Sequence, residues 1–117
     1  MTRDELKTFC ASLPQVIHVV QLGNSDVYKV GGKLFAVLGM GGTTNAVTFK
    51  VTHLAYEILS DSPGLRPPPY LASRGMKWIQ QYDEPGRSDD SLREHIKASY
   101  DMAVEKLTKK LRAELGL

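Results

Sequence analysis

The residues that could do chemistry in this chain are few and scattered. His18, His53 and His95 fall in three separate predicted elements, without the short spacing that brings imidazoles onto one metal. Cys10 is the only cysteine and lies on the apolar side of a predicted helix, where a free thiol is usually buried packing. The run "GMGGTTNA" at 39–46 has the glycines of a phosphate loop but neither the lysine nor the following helix, and reads as a hairpin tip. Asp83-Glu84 and Asp89-Asp90 flank a Pro-Gly loop and suit turn and helix-start positions. A hard cation would need more convergent carboxylates. No catalytic residue, metal site or cofactor is therefore expected.

The basic residues give the other chemical signal. Lys33, Lys50, Arg74 and Lys77 fall on or beside predicted strands, and Lys106, Lys109, Lys110 and Arg112 cluster toward the C-terminus. At the end of a long helix the second group would be favoured by the helix dipole and would form a solvated face. In "AVTFKV" (46–51), Val47, Phe49 and Val51 alternate with Thr48 and Lys50, so one face is predicted buried and the other wet. Lys77 and Gln81 share a parity in the strand predicted over 76–82, opposite to Trp78. With Lys33 and Arg74, these residues would line one polar, cationic sheet surface.

The elements that must position them are legible from pattern. Thr2-Arg3-Asp4-Glu5 has the form of a capping box, and Leu6, Phe9, Cys10 and Leu13 follow at helical spacing until Pro14, which predicts a helix over 3–13. Strands are predicted over 15–22, 27–30, 33–39 and 46–51, with Gly31-Gly32 as a hairpin turn. Thr52 caps a short helix that ends at Ser62-Pro63-Gly64. The triple proline of "RPPPYLASRGMKWIQ" (66–80) sits between structured segments, so it reads as a rigid crossover into a fifth strand and not as a free proline-rich ligand. Ser91-Leu92-Arg93-Glu94 forms a second capping box, and apolar residues from Leu92 to Leu115 predict one long amphipathic helix. The fold class is α+β: an antiparallel sheet of about five strands with helices on one face, in the order α-β-β-β-β-α-β-α.

The 117 residues suit a single domain with a core of its own, without disulfide or metal support. A net charge of +2 permits an anionic partner without requiring one. The charges are evenly spread: residues 1–60 hold five Lys/Arg and four Asp/Glu, the remainder ten and nine. No apolar run approaches the roughly 20 residues of a membrane span. The charged start "MTRDELKTF" and the single cysteine point to a cytoplasmic protein.

Four segments occur in a fixed order: "GKLFAVL", "VTFKVT", "RPPPYLASRGMKWIQ" and "IKASYDMAVEKL". Together they resemble the MmcQ/YjbR family of small bacterial proteins over nearly the whole chain. The positions that match are Lys33, Phe35, Lys50, Pro67, Tyr70, Leu71, Trp78, Ser99 and Tyr100. The resemblance implies a fold similar to CyaY-like and secretion-chaperone-like domains. It also implies a DNA-binding role through a double-wing arrangement, and supplies no catalytic residues. Many members carry a polar pair, often with histidine, just before the tryptophan; here Met76-Lys77 stands there, so no histidine role transfers. The CyaY-like kinship would suggest iron, but the first helix offers only Asp4 and Glu5.

The leading expectation is a non-enzymatic binding domain. DNA would be met through Lys33, Lys50, Arg74 and Lys77 with the two glycine hairpins as wings, while Phe35, Tyr70, Trp78 and Tyr100 anchor the structure. A protein-interaction or chaperone-like module is the alternative. A small-molecule enzyme is the third class, and would need a deep pocket with convergent polar groups.

Overall fold

The computed structural model describes residues 1–21, 23–69 and 77–117. Helix α1 (Arg3–Ser12) starts where its sequence says it should: the Thr2 side chain accepts from the Glu5 amide and the Glu5 carboxylate accepts from the Thr2 amide. Leu6 and Cys10, one turn apart, are its buried residues. A meander follows, of β1 (Val16–Gln21), β2 (Ser25–Val30), β3 (Lys33–Leu38) and β4 (Val47–Val51). Then come α2 (His53–Leu59), β5 (Leu65–Arg66), β6 (Lys77–Gln81), α3 (Asp89–Glu105) and α4 (Lys109–Leu115).

The strands form one antiparallel sheet in the order β1-β2-β3-β4-β6-β5. Tyr28, Val30, Leu38, Val47, Phe49 and Ile79 pack on its helix side against Leu6 and Cys10 of α1 and Leu92, Ile96, Tyr100 and Ala103 of α3. Each large apolar side chain buried this way contributes about 1.5–3 kcal/mol. The β2–β3 register slips between Tyr28 and Lys29, which face Ala36 and Leu34, so Phe35 is the extra residue of a bulge. Its ring meets Tyr100 edge-on at 5.3 Å.

The α+β class and antiparallel sheet stand, with three refinements. A sixth strand, β5, is only two residues long and has no alternation to read. The long C-terminal helix is two helices, because Thr108 caps α4 by accepting from the Leu111 amide. Helix α3 begins three residues earlier than the second capping box implied: its cap is Ser88, which accepts from Ser91. Lys109 and Lys110 therefore open α4, and only Arg112 of that cluster lies in a last turn.

The larger correction concerns the face of the sheet turned away from α1 and α3. It was predicted wet, with Thr48, Lys50, Lys77 and Gln81 on it. Lys77 and Gln81 pair with Val51 and Val47 and so lie on the helix side. On the face turned away, Thr48 is fully buried and Lys50 almost so, and the residues paired beside them are the buried Gln80 and Trp78. Val27, Val37 and Met40 form a second apolar cluster there, with Val19 and Leu34 at its margin. Gln80 is held at both ends: its amide donates to Met40 O at 2.8 Å and its carbonyl accepts from Arg66 Nε at 2.9 Å. Thr48 Oγ1 is buried with no hydrogen-bond partner among the described residues. A two-sided strand shows the same alternation as a half-wet one when its second face is covered by polar and long-stemmed side chains.

Candidate functional site

The registers place three lysines at one end of the sheet, and a helix brings a fourth. Val30 pairs with Lys33 across the Gly31-Gly32 turn, and β4 runs to the same end, where Lys50 faces Trp78 and Val51 faces Lys77. Helix α3 also finishes there: Lys106 is its C-cap, and the position of a Cβ on Gly31 lies 2.7 Å from the methyls of Leu107. Between these elements is a cleft of about 380 Å³ lined by Lys50, Thr52, His53, Lys77, Glu105 and Lys106, among others. The C-terminal end of α3 offsets part of the clustered positive charge through its helix dipole.

The lysines differ in setting. Lys50 is only 6% exposed, and its ammonium lies 5.7 Å from the centre of the Trp78 ring. Burial, with Lys106 and Lys33 nearby, pushes it below the ordinary lysine value. Lys77 is half-buried and stands 4.8 Å over the Tyr56 ring of α2. Lys33 and Lys106 are exposed. None of the four is ion-paired among the described residues, in contrast to Lys97, which meets Asp101 at 2.6 Å.

Lys33, Lys50 and Lys77 thus share one end of the sheet, but not as a row on an open face: Lys50 and Lys77 line the cleft, and Lys33 stands outside its lining. Lys106 joins them, hidden from sequence reasoning because it was grouped with its neighbours on an unbroken helix. Arg74 and Tyr70 lie outside the described residues. The two glycine turns expected to act as wings sit at opposite ends of the sheet: Gly31-Gly32 beside the lysines, Gly39–Gly42 at the far end of β3. Trp78 is buried, back to back with the helix-side core. The Tyr100 hydroxyl donates to Pro14 O at 2.6 Å. Ser99, on the same helix, donates to Phe35 O at 2.7 Å and accepts from the Lys50 amide at 2.9 Å.

A second polar cluster spans elements too far apart in sequence to show any spacing. Arg3 Nε donates to Asp26 Oδ2 at 2.9 Å, and His18 Nε2 donates to Asp26 Oδ1 at 2.6 Å. Burial alone would raise the Asp26 carboxyl, but the hydrogen bonds from His18 and Arg3 outweigh it and hold the group below its ordinary value. Arg3 also reaches Thr44 O and Asn24 O, so the cluster is a clasp binding α1 to two turns. Cys10 is fully buried, and desolvation pushes its thiol up to about 12, which leaves no thiolate for chemistry. Burial, and secondarily Arg87, lowers His95, whose ring stacks on Phe49 at 5.1 Å. Among the described residues no group of three or more His, Cys, Asp or Glu could hold a metal.

The fold and the cleft together define a small α+β domain with a lysine-lined recess at one end of an antiparallel sheet. The YjbR family model matches residues 11–102, and the chain belongs to that family. Its fold is also that of the crystal structure of Deinococcus radiodurans protein DR2400, which carries the family-model domain DUF419. The two superpose with a TM-score of 0.84 at 24% sequence identity, over 99% of this chain and 88% of that one. No curated protein matches the chain. No helix among the described residues is long and apolar enough to cross a membrane.

Proposed function

We propose that this chain is a binding domain for polyanions, with DNA as the foremost candidate, and that phosphates are met at the lysine-lined end of the sheet. The reading rests on one observation: four lysines from β3, β4, β6 and the end of α3 gather without a carboxylate partner among the described residues. Clustered ammonium groups without counter-charges raise the local potential and attract phosphate. Glu105 on the cleft wall opposes this in part. Lys33, Lys77 and Lys106 supply the contacts, because Lys50 is too enclosed to reach a backbone phosphate.

Three such contacts correspond to a log–log salt slope of about −2.7, or a roughly forty-fold loss of affinity between about 50 and 200 mM salt. Titration of duplex and single-stranded DNA at several salt concentrations tests this. The double variant Lys33→Gln, Lys106→Gln should bind all sequences more weakly, with the slope reduced by about 1.8.

Absence of DNA affinity at low salt overturns the reading and leaves a protein-interaction module. That alternative has its own support: among the described residues β1 is an edge of the sheet, it bears Ile17 and Val20, each 60% exposed, and the strand itself has neither lysine nor proline to blunt it.

A further inference from the structure

Lys50 has features that a phosphate clamp does not need. A lysine that serves charge alone is better placed at the surface, where its ammonium stays hydrated. Lys50 is instead enclosed in the lining of the cleft, its ammonium 5.7 Å from the centre of the Trp78 ring, with no carboxylate at salt-bridge distance among the described residues. The charged and titratable groups around it come from each packed element: Lys33 from β3, Lys77 from β6, His53 from α2, and Glu105 and Lys106 from α3. Of these, Lys106 and Lys33 disfavour a further positive charge at Lys50, outweighing the opposite pull of Glu105 and the Trp78 ring. The low exposure, the missing counter-ion and the flanking ammoniums all favour the neutral amine, which is the nucleophilic form. The depressed lysine value agrees with that geometry. The cleft, at about 380 Å³, is of small-molecule size.

We propose that Lys50 is the nucleophile of a reversible imine site, taking a small aldehyde or ketone in this cleft. The neutral Nζ adds to the carbonyl carbon, forming the N–C bond while the C=O π electrons pass to oxygen, which takes a proton as the nitrogen gives up one of its two. The resulting carbinolamine loses that oxygen as water after a second protonation, the nitrogen lone pair forming the C=N π bond, and the nitrogen then releases its second proton to give the neutral imine. His53 and Glu105 line the same cleft and are the groups available to give and receive these protons. The lysines at the rim favour a carbonyl compound that also carries an anionic group. The site uses the cleft of the proposed function, but the imine chemistry does not depend on DNA being a ligand.

The test uses the intact protein with two probes, pyridoxal and pyridoxal 5′-phosphate. Each is incubated with the protein, the imine is reduced with borohydride, and the modified lysines are located by peptide mass spectrometry. Lys50 should be labelled about tenfold faster than Lys97, Lys109 or Lys110 near neutral pH. The gap should narrow once the pH passes the lowered Lys50 value, because its amine is then already neutral and gains nothing further. Lys50→Arg should remove the fast-labelled site. Labelling of Lys50 no faster than of the surface lysines overturns the proposal, and since that comparison is made within the wild-type protein it does not depend on a variant folding. Fast Lys50 labelling at equal rates with both probes supports the imine site while counting against anion attraction by the cleft. Fast labelling with a clear preference for the phosphorylated probe supports both.

Discussion

Replacing Ser99 with alanine removes one oxygen atom and tests how α3 is joined to the sheet. In the β3–β4 register Ala36 faces Phe49, so Phe35 would next face Lys50. That rung is not made by the strands. The Ser99 hydroxyl stands between them, donating to Phe35 O and accepting from the Lys50 amide, and it is fully buried. The bulge at Phe35 makes the insertion possible, because the extra residue turns its carbonyl out of the regular ladder. In Ser99→Ala the carbonyl and the amide both lose their partner without gaining water. A buried group left unpaired costs about 1–3 kcal/mol, so the pair together with a small cavity should cost about 2–4 kcal/mol. A chain of this length has an unfolding entropy of about 0.25 kcal/mol/K, which makes the expected drop in Tm about 8–16 °C. Urea denaturation followed by circular dichroism gives the free energy, and hydrogen exchange should show the Lys50 amide losing its protection. A loss under about 0.5 kcal/mol with an unchanged m-value would refute the reasoning, since it would mean that the strands close the rung without help.

Two further outcomes follow from buried titratable groups. Lys50→Met keeps the packing of the stem and removes a buried ammonium without an acidic partner, so it should raise stability by about 1 kcal/mol near neutral pH; a clear loss in denaturant unfolding would count against an unpaired charge there. His95 is lowered in the folded state mainly by burial, so its contribution is fully present above the unfolded value of about 6.5 and declines as pH falls below it. Unfolding at about pH 7.5 and about pH 5.5 should show a smaller acid loss in His95→Phe than in the wild type, and equal losses would remove His95 as the cause.

The helix side of the fold was legible because its signals are local. Thr2 and Glu5 announce α1, and Val47, Phe49 and Val51 announce the buried face of β4. The other face was misread because alternation records only that two faces differ. Whether Thr48 and Lys50 meet water depends on what the chain lays over them, and no periodicity carries that. The break between α3 and α4 had a local signal in Thr108, masked by an apolar repeat that continues through Leu107 and Leu111. Lys33, Lys50 and Lys77 were identifiable as cations beside strands. Their gathering at one sheet end, with Lys106 added, is set by strand direction and by where α3 stops. The clasp of Arg3, His18 and Asp26 is wholly a product of tertiary structure.

The serine inserted between β3 and β4 also has a consequence in time. Its hydroxyl is 49 residues downstream of the amide it serves. At about 5–20 residues per second, a ribosome takes about 2–10 s to cover that distance. Over that interval the four strands of the meander exist and can pair with their sequence neighbours, but the seam at Phe35 and Lys50 has only water to satisfy it. The sheet is therefore built first with an open joint, and α3 arrives later as the piece that closes it.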